Sequence, residues 1–229
     1  MKTLIKNGLI VNEGKSFIGS ILIEDELISD IFSQNDTLPD SDLVIDATSK
    51  VVFPGIIDDQ VHFREPGASH KATIESESKA AILGGVTSFM DMPNNNPPAT
   101  TISDIEKKFD IAQRDSYANY SFYLGATNSN LDEILSVDPT KVCGVKLFMG
   151  SSTGNMLVNN EETLNSIFSK SKILLATHCE DEETIKENLQ IAKDRYGEDI
   201  PFSEHSKIRS AQACIKSTQK ALSFATKYN

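Results

Sequence analysis

The sequence predicts an α/β protein in which a parallel sheet is preceded by a small β-sandwich segment. Two observations support this fold class. From Pro54 onward, apolar stretches of strand length alternate with stretches of helical periodicity, and such units are normally joined by right-handed crossovers. Before that point, the chain contains short strands separated by turn residues. We therefore divide it into an amino-terminal β-sandwich segment, 1–53, and an α/β domain, 54–229.

Composition indicates a globular protein and argues against several classes of partner. Apolar residues make up 39% and charged residues 24% of the 229-residue chain, which is ordinary for soluble proteins. The net charge of −11 disfavours nucleic acids and anionic membranes as partners. No apolar run is long enough to span a bilayer, and the amino terminus lacks signal-peptide character. Three cysteines without CxxC spacing favour a reducing, cytoplasmic location.

The amino-terminal segment is predicted to contain four short strands. Turn residues such as Asn-Glu-Gly and Glu-Asp separate them. A sandwich of this size is too thin to be stable without cover from elsewhere. The predicted strands are 4–11, 20–24, 27–32 and 43–46.

In the α/β domain, five predicted strands alternate with helices. Each strand is a short apolar run, and the helical stretches repeat their apolar residues at helical spacing. The strands are predicted at 55–63, 86–92, 120–124, 142–149 and 173–178, and the helices at 73–83, 103–115, 131–135, 161–169, 181–195 and 206–227.

Residues able to carry chemistry cluster where a predicted strand passes into its following loop. They are His62, Asn94, Lys146 and His178. The carboxyl ends of parallel strands form the active-site mouth of a (β/α)8 barrel, and an open doubly wound sheet also binds ligands there. No glycine-rich phosphate loop follows any predicted strand, which disfavours nucleotide binding.

Lys146 is the most informative of these residues, because it lies within the otherwise apolar run 143–150. An unpaired ammonium there would cost several kcal/mol. A neutral amine can instead add carbon dioxide and become a carbamate, an anionic oxygen ligand able to bridge two metal ions. Together with His62 and His178, this possibility favours a metallohydrolase. The alternative is a lysine whose ammonium reaches solvent from the strand end.

The first strand of the α/β domain carries a second group of candidates. Asp58, Gln60 and His62 share one face because side chains repeat every two residues along a strand. Two imidazoles at this spacing would grip a metal ion, but Gln60 provides only a neutral amide oxygen. Arg64 could hold a substrate carboxylate, or could pair with Glu65 or another acid.

The Asn- and Pro-rich loop 92–98 follows the second strand of this domain. Its amides, including those of Asn94 and Asn96, could recognise the imide edge of a small ring, although Asn and Pro also simply favour turns. His178 ends the fifth strand and is expected to project into the mouth, and the turn 148–154 could donate backbone hydrogen bonds to a substrate carbonyl. Structural rather than ligand roles are expected for His70, Cys179 and His205.

These segments together resemble the dihydroorotases of the amidohydrolase superfamily. Residues 54–67 are similar to the first-strand signature of that family, and 84–97 to its second-strand segment. Residues 144–150 and 178–181 match later segments in the right order. The resemblance covers essentially the whole chain, and it implies a partial (β/α)8 TIM-type barrel of about five βα units.

The resemblance also implies a zinc site. His62 would bind one zinc ion, and His178 would bind a second. Lys146, as its carbamate, would bridge the two, and Gln60 stands where the family has the first histidine of its pair. This replacement should weaken the more buried metal or change its preference.

For the substrate, the resemblance implies dihydroorotate or N-carbamoyl-L-aspartate. Arg64 and Asn94 would hold the substrate carboxylate, with Asn96 beside them. The implied reaction is reversible hydrolysis of a cyclic amide in de novo pyrimidine synthesis. The expected partner is therefore a small molecule, with a homo-oligomer as a further possibility.

We expect no catalytic acid or base within this chain, because the family's proton-shuttling aspartate and its remaining histidine ligand lie on later strands. A (β/α)8 barrel takes about 250 residues, more than 54–229 provides. Five strands would leave an open sheet edge. The sequence is thus expected to be the amino-terminal part of such an enzyme, poorly active or inactive by itself.

Two alternatives stay open at this point. A dihydropyrimidinase or hydantoinase would share the fold and metal chemistry, but its ring lacks the carboxylate that Arg64 suits. A non-catalytic homologue that serves a structural or assembly role would be consistent with Gln60.

Overall fold

The structure, a computed structural model, describes residues 1–150 and 155–228. The chain divides into two compact units, Met1–Ile56 and Ile57–Asn229. Within the described residues, no helix combines the length and apolar character needed to cross a bilayer.

The amino-terminal unit is a five-stranded mixed sheet. Strands β1 to β3 pair antiparallel, whereas β4 and β5 both pair parallel with β1. The turn residues Glu13 and Gly14 both have positive φ, +49° and +75°, as a tight two-residue hairpin requires. This hairpin starts β2 earlier than predicted, because it sets Asn12 opposite Lys15. The strands are β1 Lys2–Asn12, β2 Lys15–Glu24, β3 Leu27–Ser33, β4 Leu43–Asp46 and β5 Val51–Val52.

The second unit confirms the predicted α/β class and partial barrel. Its five strands form one parallel sheet that curls into a half-barrel, with spatial order β10-β9-β8-β7-β6. Sequential strands are therefore neighbours throughout, as in a (β/α)8 barrel. The strands are β6 Ile56–Val61, β7 Val86–Asp91, β8 Asn119–Gly125, β9 Gly144–Phe148 and β10 Leu175–His178.

Helices follow the strands, and several of them begin at side-chain caps. Thr73 and Thr101 each accept a hydrogen bond from the backbone three residues on and complete a capping box. Asn160 and Asp181 cap later helices in the same way. The helices are α1 Ile74–Leu83, α2 Ile102–Asp115, α3 Leu131–Ser136, α4 Glu161–Lys170, α5 Glu182–Tyr196, α6 His205–Ile208 and α7 Ala211–Tyr228, with a 3₁₀ turn at Phe202–Glu204.

The last predicted helix, 206–227, is wrong in one respect, because the chain divides it into α6 and α7. Arg209 leaves the helical conformation at φ −93° and ψ 68°. Its guanidinium forms an ion pair with Glu180. Ser210 then accepts the first hydrogen bonds of the next helix. A tertiary contact therefore breaks a continuous helical pattern.

The core of this unit lies between the sheet and its helices. Side-chain alternation along β9 sends Val145 and Leu147 into that core, where both are fully buried. Lys146 and Phe148 consequently lie on the opposite face of the strand. Fully buried core residues include Ile74, Phe89, Phe122, Leu124 and Ile167.

Candidate functional site

Two loops meet at the carboxyl ends of β6 and β7. The amide of Met92 donates to the carbonyl of Val61 over 3.0 Å, which continues the pairing of the two strands. Just beyond, Nδ1 of His62 lies 2.7 Å from Oδ1 of Asn94. An amide oxygen only accepts, so Nδ1–H is the donor, and in the neutral imidazole Nε2 keeps its lone pair. His62 is thereby oriented with the nitrogen that a metal ion could use left available.

The same two loops pack closely enough to require a glycine. Gly67 has φ +95°, and a Cβ built on it would overlap the carbonyl of Asn96. The Asn96 amide donates to the Pro66 carbonyl over 3.4 Å. The Asn95 side-chain amide donates to the Glu65 carbonyl over 2.8 Å. These contacts join the segment that carries Arg64 to the segment that carries the asparagines.

A cavity of about 320 Å³ opens between these loops. It brings Arg64, Asn94 and Asn96 together, and their role in binding a substrate stays a prediction. Its walls are formed by Arg64, Ala68, Lys71, Asn94, Asn95, Asn96 and Pro98. Two cations and three amides, without a lining carboxylate, favour an anionic ligand.

Arg64 itself is free to take such a ligand. Its backbone lies in the left-handed region at φ +66°, an uncommon conformation for a non-glycine residue. Among the described residues it forms no ion pair with an acid. Glu65, the neighbour considered as its partner, instead accepts a hydrogen bond from the Ile74 amide at the start of α1, over 2.8 Å.

Lys146 is buried, with only 5% of its surface exposed. Burial lowers the pKa of its amine, and the neighbouring Cys179 opposes that effect. Its Nζ lies 5.4 Å from the centre of the Phe148 ring. In the described part of the chain, no carboxylate forms an ion pair with it. These surroundings favour a neutral amine, the form that reacts with carbon dioxide.

His178 ends β10, one strand away from Lys146. Its ring lies 6.0 Å from that of Phe148, which itself contacts the lysine. Nε2 of His178 lies 2.9 Å from Oε2 of Glu180, and Arg209 holds the same carboxylate in an ion pair. A carboxylate on one imidazole nitrogen is the usual orienting partner of a metal-binding histidine, and it leaves Nδ1 of His178 with a lone pair.

The remaining predicted site residues are placed as follows. Gln60 is exposed, and its backbone amide donates to Asp58. Residues 151–154 of the predicted carbonyl-binding turn lie outside the described residues. His70 is exposed, His205 stacks on Phe202 at the start of α6, and the Cys179 thiol donates to Thr177.

The donor set for a metal is thus divided into two groups. His62 lies with Asn94 at one end of the sheet, whereas Lys146 and His178 lie on adjacent strands at the other. Across 1–150 and 155–228, no group of three His, Cys, Asp or Glu side chains is arranged to hold a metal ion. The donor chemistry suits zinc, and the buried, carboxylate-free amine of Lys146 suits a carbamate.

Several residues at the site escaped the sequence analysis. Lys71 and Arg209 gave no signal, because each is a common surface cation. Glu180 could have been suspected from its place two residues after His178, where it shares one side of the chain. Lys108, which donates a hydrogen bond to Asn95 of the cavity wall, could have been recognised as buried. It repeats with Ile105 and Ala112 on the apolar face of α2.

The fold and the site together define an α/β half-barrel protein with polar side chains at the carboxyl ends of its strands. Residues 49–196 match the family described as Dihydro-orotase-like. The dihydroorotase of Thermococcus kodakarensis is 35% identical over 190 residues, covering 82% of this chain and 44% of that protein. The dihydroorotase of Methanosphaera stadtmanae is 32% identical over 215 residues, covering 92% and 48%. The chain belongs to the dihydroorotase-like family, as its motifs indicated.

Related proteins of other names also match. The allantoinase of Desulfitobacterium hafniense is 35% identical over 165 residues, covering 69% of this chain and 37% of its own. A crystal structure of D-hydantoinase superposes with a TM-score of 0.82 at 26% identity, covering 100% of this chain and 50% of that chain. L-hydantoinase from Arthrobacter aurescens superposes with a TM-score of 0.91 at 24% identity, covering 99% and 51%. The chain spans about half the length of the relatives it matches.

Proposed function

We propose that this chain contributes to a dihydroorotase reaction, the reversible hydrolysis of dihydroorotate to N-carbamoyl-L-aspartate. The observation that carries the proposal is the cavity lined by Arg64, Asn94 and Asn96. Dihydroorotate is a small cyclic imide with a carboxylate, so it needs both a cation and groups that donate and accept hydrogen bonds. Membership of the dihydroorotase-like family supports the same assignment.

Arg64 binds the substrate carboxylate in this proposal. Its guanidinium presents paired donors that match the two carboxylate oxygens. Asn94 and Asn96 add amide donors from the facing loop, and Lys71 adds a second positive charge at the rim. The open-chain product carries one more carboxylate than the ring, so the second cation favours its retention.

His62, Lys146 and His178 hold zinc in this proposal. Lys146 first adds carbon dioxide: its neutral nitrogen forms a bond to carbon and releases a proton, leaving a carbamate. His62 offers Nε2 and His178 offers Nδ1, because Asn94 and Glu180 occupy the other nitrogens. Gln60 is a weaker neutral donor beside His62. A zinc ion held there would polarise the ring carbonyl and make water more acidic.

A hydantoinase or dihydropyrimidinase reaction is the second candidate. The likeness to D-hydantoinase at 26% identity favours it. Hydantoin and dihydrouracil rings lack a carboxylate, so they give Arg64 no charged partner. Substrate charge therefore separates the two candidates.

The test compares binding of two rings to the zinc-loaded chain by calorimetry. Dihydroorotate is expected to bind, and Arg64→Met is expected to weaken it at least about 10-fold, the effect of losing a charge-assisted hydrogen bond of about 1.5–3 kcal/mol. The affinity for dihydrouracil, which has no carboxylate, is expected to be the same in Arg64→Met as in the wild-type chain. Arg114→Met is the matched control, since Arg114 pairs with Asp115 on the surface of α2.

Equal losses for both rings in Arg64→Met would contradict the carboxylate assignment and favour the second candidate. Zinc analysis addresses the third possibility, a non-catalytic homologue. A chain that retains no zinc after purification with zinc and bicarbonate would support a structural role. A cytoplasmic location and a homo-oligomeric state stay predictions from the sequence.

A further inference from the structure

Lys108 is a second buried lysine, and neither the metal donors nor the cavity walls include it. It lies on the inner face of α2, and its side chain is completely buried. Asp91, at the carboxyl end of β7, is its ionic partner, with Nζ 2.7 Å from Oδ2 and the carboxylate only 1% exposed. The pair therefore joins a helix to a strand end directly behind the site.

Such a pair contributes little to stability over apolar packing. Desolvating two charges costs roughly what their attraction returns, and apolar replacements of similar volume are often neutral or better. Burial lowers the pKa of Lys108, and Asp91 opposes that effect. Oδ2 of Asp91 takes no hydrogen bond of ordinary geometry from the described residues, so the attraction to the ammonium is chiefly ionic.

The ammonium of Lys108 also organises the loop beside it. It donates to the Met92 carbonyl over 3.0 Å and to Oδ1 of Asn95 over 2.8 Å. Asn95 in turn connects this loop to the one that carries Arg64, because its Nδ2 donates to the Glu65 carbonyl over 2.8 Å. Two hydrogen bonds of the ammonium thus lead to the loop 92–97, and the Asp91 carboxylate attracts it by charge.

The second carboxylate oxygen of Asp91 connects the ion pair to the loop that follows β6. Oδ1 accepts a hydrogen bond from the Phe63 amide over 2.9 Å. Phe63 and Glu65 flank Arg64 in sequence, and Asn95 stands between Asn94 and Asn96. Arg64, Asn94 and Asn96 therefore each have a sequence neighbour that is tied to this ion pair.

We propose that Lys108 is a positioning residue that, with Asp91 and Asn95, fixes the two loops so that Arg64 and the asparagines are arranged before the ligand arrives. Preorganisation of this kind raises affinity because less conformational freedom is lost on binding. The identity of the ligand rests on the proposed function, whereas the fixing of the loops does not.

The experiment uses Lys108→Met, with Lys107→Met as its control. Lys107 is the adjacent residue of α2, exposed and paired with Asp104 of the same helix. Backbone hydrogen exchange is followed in 63–67 and 92–97 without ligand, and dihydroorotate affinity is measured with zinc. Lys108→Met is expected to speed exchange in both loops and to weaken binding about 10-fold or more, because misplaced binding groups lose contact with the ligand. Lys107→Met is expected to behave as the unmodified protein.

A double variant separates positioning from stability. Lys108→Met leaves the Asp91 carboxylate buried and unpaired, which can unfold the protein. Asp91→Asn together with Lys108→Met removes that charge, so the denaturation midpoint should recover while exchange stays fast and binding stays weak. Wild-type exchange and wild-type affinity in this double variant would overturn the proposal. Loops that exchange at unprotected rates in the wild-type chain would overturn it without any variant.

A wrong substrate assignment would give a different result from a wrong positioning role. If the wild-type chain binds no dihydroorotate while Lys108→Met still loosens both loops, the substrate assignment is wrong and the positioning role stands.

Discussion

Two lysines are buried among the residues that the structure describes, and each avoids an unpaired buried charge in a different way. Lys108 keeps a carboxylate partner, Asp91, and two further acceptors. Lys146 has no such carboxylate among the described residues, and burial lowers the pKa of its amine. The first is therefore suited to fix structure, whereas the second is suited to react. Identical side chains acquire different roles from their neighbours.

The sequence predicted the burial of Lys146 but not that of Lys108. Lys146 stands in an apolar strand, where its charge is conspicuous. Lys108 stands among other charged residues in α2, and Asp91 is distant in sequence. Only the helical period that places it with Ile105 and Ala112 marks it as buried. Partners that tertiary structure brings together, such as Arg209 and Glu180, gave no local pattern.

The close approach of Gly67 to the loop that contains Asn96 gives a testable prediction. Gly67→Ala should both strain the backbone at φ +95° and push a Cβ against the Asn96 carbonyl. We expect a loss of stability of more than about 1 kcal/mol and weaker dihydroorotate binding, measured by chemical denaturation and calorimetry.

Gly85→Ala is the control for backbone strain. Gly85 has φ +88°, and nothing lies within 4 Å of a Cβ built on it. The difference between the two variants isolates the contact between the loops. Equal stability and equal affinity in both variants would show that this close contact has no consequence.

Among the elements, α5 depends on its N-cap residue, Asp181, both to begin the helix and to connect it to α7. Asp181 accepts hydrogen bonds from the Thr184 amide over 3.0 Å and from Lys216 of α7 over 2.8 Å. Burial acts to raise the pKa of Asp181, but the hydrogen bonds from Lys216 and Thr184 outweigh it and lower the pKa. The ionised form is thus favoured in the folded protein.

Asp181→Ala is expected to reduce the free energy of unfolding by about 1 kcal/mol at neutral pH. An acid whose folded pKa is lowered stabilises the protein above its unfolded pKa of about 3.9 and loses that contribution as pH falls through the folded value. The difference between variant and wild type should therefore shrink below about pH 4. Denaturation across pH measures it.

Asp194→Ala serves as the comparison, because Asp194 lies in the same helix and accepts a hydrogen bond from Gln190 on the surface. It should show neither the loss at neutral pH nor the pH dependence. A difference between Asp181→Ala and wild type that stays constant down to low pH would contradict the role of the ionised cap.

At the scale of the whole molecule, the sequence predicted the order and type of almost every element in the second unit. Most of its strands contain a short apolar run, and α1, α2, α4 and α5 each begin at a side-chain cap. Boundaries were less exact where hydrogen bonding rather than side-chain pattern sets them, as at Gly144 and Leu175. The division of α6 from α7 at Arg209 was missed because a distant carboxylate causes it.

The positions of the candidate site residues along the chain could be predicted from the sequence, but the contacts between their side chains could not. The positions of His62, Lys146 and His178 at strand ends follow from alternation and strand order. The contact of His62 with Asn94, and of His178 with Glu180, depends on loop conformation. Those contacts decide which imidazole nitrogen stays available, and no sequence pattern contains that information.

The proposed function depends on the buried amine of Lys146 becoming a carbamate that binds zinc with the two imidazoles. Carbon-13 NMR of the chain with zinc and labelled bicarbonate detects a carbamate on the lysine itself. One carbamate signal is expected, lost in Lys146→Gln and retained in Lys107→Met. Zinc bound at full occupancy without any carbamate signal, or a signal that persists in Lys146→Gln, would contradict the claim.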